Sequence, residues 1–187
     1  AQFQSEMLLP PLMGPLLGYR SKARLGVKYV DKKARVLVGF REKLKPYVAE
    51  IATCKVLKPS VGEQLPALSQ AIADLSDPRS VPQIEVAVGD TETALVIRHL
   101  SPLTAEDSLR LQLLGEQAGF SIYLQPGNES TVHKIYPQDG RERLVYSLPA
   151  YDLSYEFHPL DFTQVNQVIN RQMIQQAIAL LDLQGED

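Results

Sequence analysis

Four cations at even-numbered positions, Arg20, Lys22, Arg24 and Lys28, are the first residues of this chain whose types and spacing suggest chemistry. Residues two apart in a strand point to the same side, about 6.7 Å from one another. The four therefore share one face, while Tyr19, Ala23, Leu25, Val27 and Tyr29 share the other. Guanidinium and ammonium groups at that pitch can follow a phosphate backbone; the plainer reading is a solvated strand face over an apolar one. A second strand, RVLVGFR, ends in Phe40 and Arg41. An aromatic ring beside a guanidinium can stack on unpaired bases, and Phe40 can equally well be core.

A second group of interest is DFTQVN, Asp161 to Asn166, where a β-rich pattern gives way to one amphipathic helix that runs to the end. From Phe162 on, Val165, Ile169, Met173, Ala177, Leu180 and Leu181 recur three or four apart and form one face that requires a partner. Gln164 and Asn166 fall in or just before the first turn, where unpaired backbone N–H groups can receive the polar edge of a ligand. They can also be capping residues: Asp161 with Gln164 resembles a capping box, and Asn166 suits an N-cap.

Other chemistries find less support. Cys54 is the only cysteine, so an intramolecular disulfide is excluded and no thiolate metal site can be built from it alone. His99, His133 and His158 lack metal-ligand spacing. No glycine-rich phosphate loop, nucleophilic triad or paired-carboxylate motif stands out. The net charge of −3 would argue against a nucleic-acid partner, but the charges are segregated. Tyr19 to Lys58 holds 12 Lys or Arg against three acids, and the rest holds 7 basic and 19 acidic residues. A basic block in an acidic chain marks a polyanion-binding face better than the overall balance does. No apolar run approaches the length of a membrane span and no signal-like start is present, which points to the cytoplasm and away from membranes.

The positioning elements follow from pattern and punctuation. Residues 1–18 carry Pro10, Pro11 and Pro15 among Met7, Leu8, Leu9, Leu12, Met13, Leu16 and Leu17, which reads as an ordered linker rather than a helix or a central strand. The absence of a starting methionine suggests N-terminal truncation. Leu65, Leu68, Ile72 and Leu75 predict a helix over Val61 to Leu75, closed by Asp77-Pro78. PQIEVAVG and TALVIRHL predict a hairpin about Gly89 to Glu92. Thr104 caps a helix that Gly119 ends. FSIYLQPG, STVHKIYP, RLVYSLPA and YDLSYEF add short strands. The fold class is α+β, an antiparallel sheet with helices that ends in a long helix.

Together YRSKARLGVKYV, GFRE, the Cys54 segment and DFTQVNQVINRQMIQQAIALLDLQGED resemble the bacterial RNA (uracil-5-)methyltransferases, most closely the type that modifies large-subunit ribosomal RNA. The resemblance implies residues 1–18 as a linker packing on the methyltransferase domain, 19–160 as a central α+β RNA-binding and iron-sulfur domain, and 161–187 as the helix that begins a Rossmann-like methyltransferase domain. It implies that Cys54 is one of four ligands of a [4Fe-4S] cluster in a longer parent and a free thiol here. Gln164 matches the glutamine that contacts S-adenosylmethionine near the target uracil, with Phe162 and Asn166 shaping the pocket. Arg20, Lys22, Arg24 and Lys28 would hold phosphates, and Phe40 with Arg41 would hold bases. The family's nucleophilic cysteine and base match no residue of this chain, so an S-adenosylmethionine-dependent rRNA uracil methyltransferase would here be an inactive fragment, with no cofactor bound and its end helix open to dimerisation. The alternatives are a transfer-RNA uracil-5 methyltransferase of the same superfamily and a non-catalytic RNA-binding module.

Overall fold

A computed structural model describes residues 8–182. Residues 1–7 of the expected linker, and residues 183–187, over which the sequence pattern extends the last helix, lie outside the described residues.

Alternation sets the first strand. β1 (Lys22–Val30) buries Ala23, Leu25 and Val27 and leaves Arg24 and Lys28 exposed, the parity its sequence predicts. A 3-10 turn at Asp31–Lys33, closed by Ala34 at φ 47°, leads into β2 (Arg35–Gly39), which pairs antiparallel with β1. The helix expected over Val61 to Leu75 is two pieces, α1 (Pro59–Gly62) and α2 (Leu65–Ala73). Pro66 explains the break, because it lacks an N–H and its ring clashes with the carbonyl four residues back. Leu65, Leu68, Ile72 and Leu75 are all buried as the spacing requires.

β3 (Gln83–Val88) and β4 (Thr93–Arg98) form the expected hairpin. α3 (Ala105–Ala118) then crosses over, and β5 (Phe120–Gln125) returns parallel to β4, so the sheet is mostly rather than wholly antiparallel. β6 (His133–Tyr136) completes a six-stranded sheet ordered β2-β1-β3-β4-β5-β6. β7 (Leu144–Leu148) and β8 (Leu153–Phe157) make a separate hairpin, and α4 (Gln167–Leu181) is the last element.

The main core lies between one sheet face and α2 and α3, with Leu68, Ile72 and Leu111 on Leu25, Ile84, Leu95 and Ile122. On the other face the β7–β8 hairpin sets Leu144 and Phe157 on Ala87, Ala94, Val96 and Tyr123. β4 and β5 are covered on both sides, which is why they read as nearly continuous apolar runs. The hairpin roofs only part of its face, and the remainder stays open.

The start of α3 ties the helical layer together. Thr104 Oγ1 accepts from Asp107 N at 3.1 Å while Asp107 Oδ2 accepts from Thr104 N at 3.0 Å, the reciprocal capping box. Asp107, 1% exposed, also accepts from Ser76 N at 2.8 Å and Ser76 Oγ at 2.6 Å, so it holds the chain after α2. Burial alone would push this carboxyl up, but the donors from Ser76 and Thr104 outweigh it and hold it far below the usual carboxylate range. A carboxyl depressed in the folded state contributes stability in full above its unfolded pKa, and that contribution is lost as the pH falls toward the folded value. Asp107→Asn is expected to cost about 2 kcal/mol in urea unfolding at neutral pH, with the gap to the parent narrowing below about pH 4. A gap that stays constant with pH would contradict this role.

Candidate nucleic-acid interface

The open part of the second face begins where the hairpin roof stops. Strand pairing sets Arg24 opposite Glu85, Gln83 opposite Arg98, and Arg98 opposite Gln125. With Arg20 and Lys22 they line a cavity of about 890 Å³, walled by Asn128 to Ser130 on one side and by Leu160, Phe162, Thr163 and Val165 on another. Arg24 Nε donates to Glu85 Oε1 at 2.6 Å, with most of its guanidinium in solvent. Lys22 donates to the Pro159 carbonyl; burial there pulls its ammonium below the usual value, against the attraction of Glu85 and Asp161. Arg98 Nη1 reaches Gly127 O at 3.3 Å.

The cation row of β1 is not continuous. Residue 26 is glycine, and a Cβ there would stand 3.1 Å from Val48 Cγ2 and 3.4 Å from Arg41 Cγ, so the 41–48 loop crosses the strand face at that point. Arg20, Lys22 and Arg24 open onto the large cavity. Lys28 and Arg41 instead line a second one of about 650 Å³, with Tyr29, Tyr47 and Arg79. Arg79 stacks on Tyr29 at 4.0 Å and pairs with Asp31. Phe40 packs half-buried against the main core, and the guanidinium over its ring, 5.5 Å from the centroid, belongs to Arg20.

DFTQVN divides into two parts. Asp161 Oδ2 accepts from His158 N at 2.6 Å, closing a turn rather than capping a helix with Gln164. The cap is Asn166, whose Oδ1 accepts from Ile169 N at 3.1 Å, so α4 begins at Gln167, five residues later than the apolar spacing suggests. The residues before it stay out of the helix because their carbonyls are taken: Ser21 N donates to Val165 O at 2.8 Å, and Ser21 Oγ lies 3.3 Å from Gln164 O. The Gln164 side chain is exposed and lines a cavity of about 250 Å³ with Tyr146, Phe157, Phe162, Gln167 and Asn170. Phe162 is 85% exposed at the rim shared by this cavity and the large one.

α4 is held by polar contacts. Gln167 Nε2 donates to Val88 O at 2.8 Å, Asn170 Nδ2 to the Tyr146 hydroxyl at 3.0 Å, and Arg171 to Ser147 O at 3.0 Å and Asp90 Oδ1 at 2.8 Å. No residue of α4 is buried; Val168, Met173, Ile178, Leu180 and Leu181 are exposed, and Gly14 of the proline-rich stretch lies against Ile169. Cys54 is partly buried against the main core, with its N–H on Gly62 O at 2.9 Å. Among the described residues no group of three His, Cys, Asp or Glu could hold a metal ion, and no helix is long and apolar enough to cross a membrane.

This arrangement can be set beside known proteins. The fold is that of the corresponding part of an RNA uracil-5 methyltransferase: the crystal structure of Pyrococcus abyssi tRNA (uracil-54, C5)-methyltransferase in complex with S-adenosyl-L-homocysteine superposes with a TM-score of 0.63 at 20% identity, over 92% of this chain and 42% of that one. In sequence the chain is similar to the 23S rRNA (uracil(1939)-C(5))-methyltransferases RlmD of Alcanivorax borkumensis, 50% identical over 96% of this chain, and Hahella chejuensis, 51% over 96%. The RlmD of Legionella pneumophila is 40% identical over 98%. The chain spans about two fifths of the length of these relatives, 40% to 42%. No protein-family model matches it.

Sequence reasoning did not single out Gln83, Glu85, Arg98 or Gln125. The signal was present in the parity of QIEVAV, where Gln83 and Glu85 alternate with buried Ile84 and Val86, but reading that stretch only as half of a hairpin left it unused. The division of DFTQVN is testable: Asn166→Ala is expected to cost about 1 kcal/mol in urea unfolding, whereas Gln164→Ala stays within about 0.5 kcal/mol of the parent. Equal losses would contradict it.

Proposed function

We propose that this chain is the RNA-positioning part of an S-adenosylmethionine-dependent uracil-C5 methyltransferase that acts on large-subunit ribosomal RNA in the cytoplasm. The observation that carries the reading is the shared cavity. Arg20, Lys22, Arg24 and Arg98 form one side of it, and Phe162, Thr163 and Val165 of the motif expected beside cofactor and uracil form the other. Phosphates held on the first side set the register of an extruded uridine on the second. Identities of 40% to 51% with proteins named as 23S rRNA enzymes support ribosomal over transfer RNA.

Residues 19–160 serve as the RNA-binding domain, residues 1–18 as the linker, and α4 as the opening of the methyltransferase domain. Gln164 supplies one polar edge to S-adenosylmethionine. At about 250 Å³ its cavity is smaller than the 300 Å³ or so at which whole ligand sites begin, so these residues fit one wall of a cofactor site. Asn166 shapes that wall through its cap, which orients the segment. S-adenosylmethionine, when bound, supplies the electrophilic methyl group. This chain's part is to hold RNA and orient the base, and no covalent step is assigned to its residues.

Cys54 is proposed as one thiolate ligand of a [4Fe-4S] cluster in a longer parent. A cluster takes four thiolates, and the single thiol here does not fit one, so no function of this chain is routed through it. The exposed apolar side of α4 is the surface through which two copies of this chain would pair.

Fluorescence titration with a hairpin of large-subunit rRNA tests the central reading. Arg20→Ala, Lys22→Ala and Arg24→Ala are each expected to weaken binding about three- to tenfold at low salt and to flatten the salt dependence by about one counterion apiece. Lys28→Ala and Arg41→Ala, in the separate cavity, are expected to have smaller effects. Unchanged affinity and slope in the triple variant would overturn the proposal.

A further inference from the structure

The floor of the large cavity is not what a phosphate-holding surface requires. Glu85 is 7% exposed, yet it lines a cavity rimmed by Arg20, Lys22 and Arg24. A carboxylate in that position repels phosphate, and a buried charge is costly unless it is paired. Glu85 Oε1 is satisfied by Arg24 Nε at 2.6 Å and Gln83 Nε2 at 3.0 Å. Among the described residues no hydrogen bond uses Oε2. Strand pairing then places Gln83, Arg98 and Gln125 side by side across three strands, and Gln125 is 5% exposed. A carboxylate, two amides and a guanidinium thus form one polar layer at the bottom of the cavity.

Packing does not account for that layer. Further along the same face the positions are Ala87, Ala94, Val96 and Tyr123, apolar and roofed by β7 and β8. Polarity begins where the roof ends. Planar side chains that donate and accept side by side are the ones that read base edges: carboxylates accept from an exocyclic amine, and guanidinium donates to a ring nitrogen or carbonyl.

We propose that this floor receives an unstacked nucleobase bearing an exocyclic amine, such as cytosine, and rejects uracil. Glu85 Oε2 accepts from the amine and Arg98 donates to the adjacent ring acceptor, while Arg20, Lys22 and Arg24 hold the flanking phosphates. Uracil would turn its O4 toward Oε2, setting two acceptors against each other with neither paired. The inference rests on the RNA-holding role proposed above. It adds a subsite for a neighbouring nucleotide, distinct from the place of the uracil to be methylated.

The test compares single-stranded oligocytidylate and oligouridylate of equal length by fluorescence anisotropy at one salt concentration. The parent chain is expected to bind oligocytidylate about tenfold tighter, the low end of what one good base contact discriminates. Glu85→Gln removes a negative charge from a cationic cavity, so electrostatics alone would raise affinity for both. Base reading requires the two to move apart in sign, oligouridylate gaining and oligocytidylate losing, until the preference is about twofold or less. Arg24→Ala is expected to weaken both alike. Equal binding of the two oligomers by the parent chain, or a parallel gain on Glu85→Gln, would overturn the base-reading subsite and leave the RNA-holding role standing. Failure of the parent chain to bind either oligomer would overturn both.

Discussion

The backbone of Arg20 and Ser21 is hydrogen-bonded on two sides, and the candidate interface depends on that stitch. On one side Arg20 N donates to Val56 O at 2.9 Å and Lys58 N donates back to Arg20 O at 3.1 Å, which fixes the Cys54 segment beside the entry to β1. On the other side Ser21 N donates to Val165 O at 2.8 Å, and Arg20 bridges Asn166. Ser21 is 1% exposed, so its polar groups have no water to fall back on and the pairing is enforced by burial. The Arg20 guanidinium lies over Phe40. Three stretches far apart in sequence thus converge on one dipeptide, and the cavity opens where they meet.

Electrostatics sharpen that convergence. The three acids of the basic block are each engaged locally: Asp31 with Arg79, Glu42 with Lys45, and Glu50 with Lys33 and Arg35. What faces the large cavity is therefore a small set, with Arg20, Lys22, Arg24 and Arg98 against Glu85 and Glu129. Arg24 is largely exposed and holds the buried Glu85 carboxylate through Nε alone. Its terminal nitrogens can therefore meet a phosphate while Glu85 keeps its partner, and Lys22, bound to Pro159 O and partly desolvated, also fixes the 158–165 wall.

Local pattern carried much of this structure. The parity of β1, the leucine stripe of α2, the Thr104 cap and Gly119 at φ 71° after α3 all stand where side-chain period and turn chemistry require. The misreadings arise where a competing contact, in most cases long-range, overrides a local signal. Val165 belongs to the helical stripe by spacing, but its carbonyl is claimed by Ser21, so the helix waits for Asn166. Asp161 has the position of a capping residue and turns back to His158 instead. The cation row keeps one parity in sequence but is divided in space, because Gly26 admits Val48 and Arg41 from a loop that local pattern does not place.

The most direct measurement is photocrosslinking of this chain to a large-subunit rRNA hairpin carrying thiouridine at single positions, with the crosslinked peptides mapped by mass spectrometry. Crosslinks are expected on peptides spanning residues 20–24 and 158–166, the two facing walls of the large cavity. Crosslinks confined to α2 and α3, on the opposite side of the sheet, would contradict the placement of RNA in that cavity.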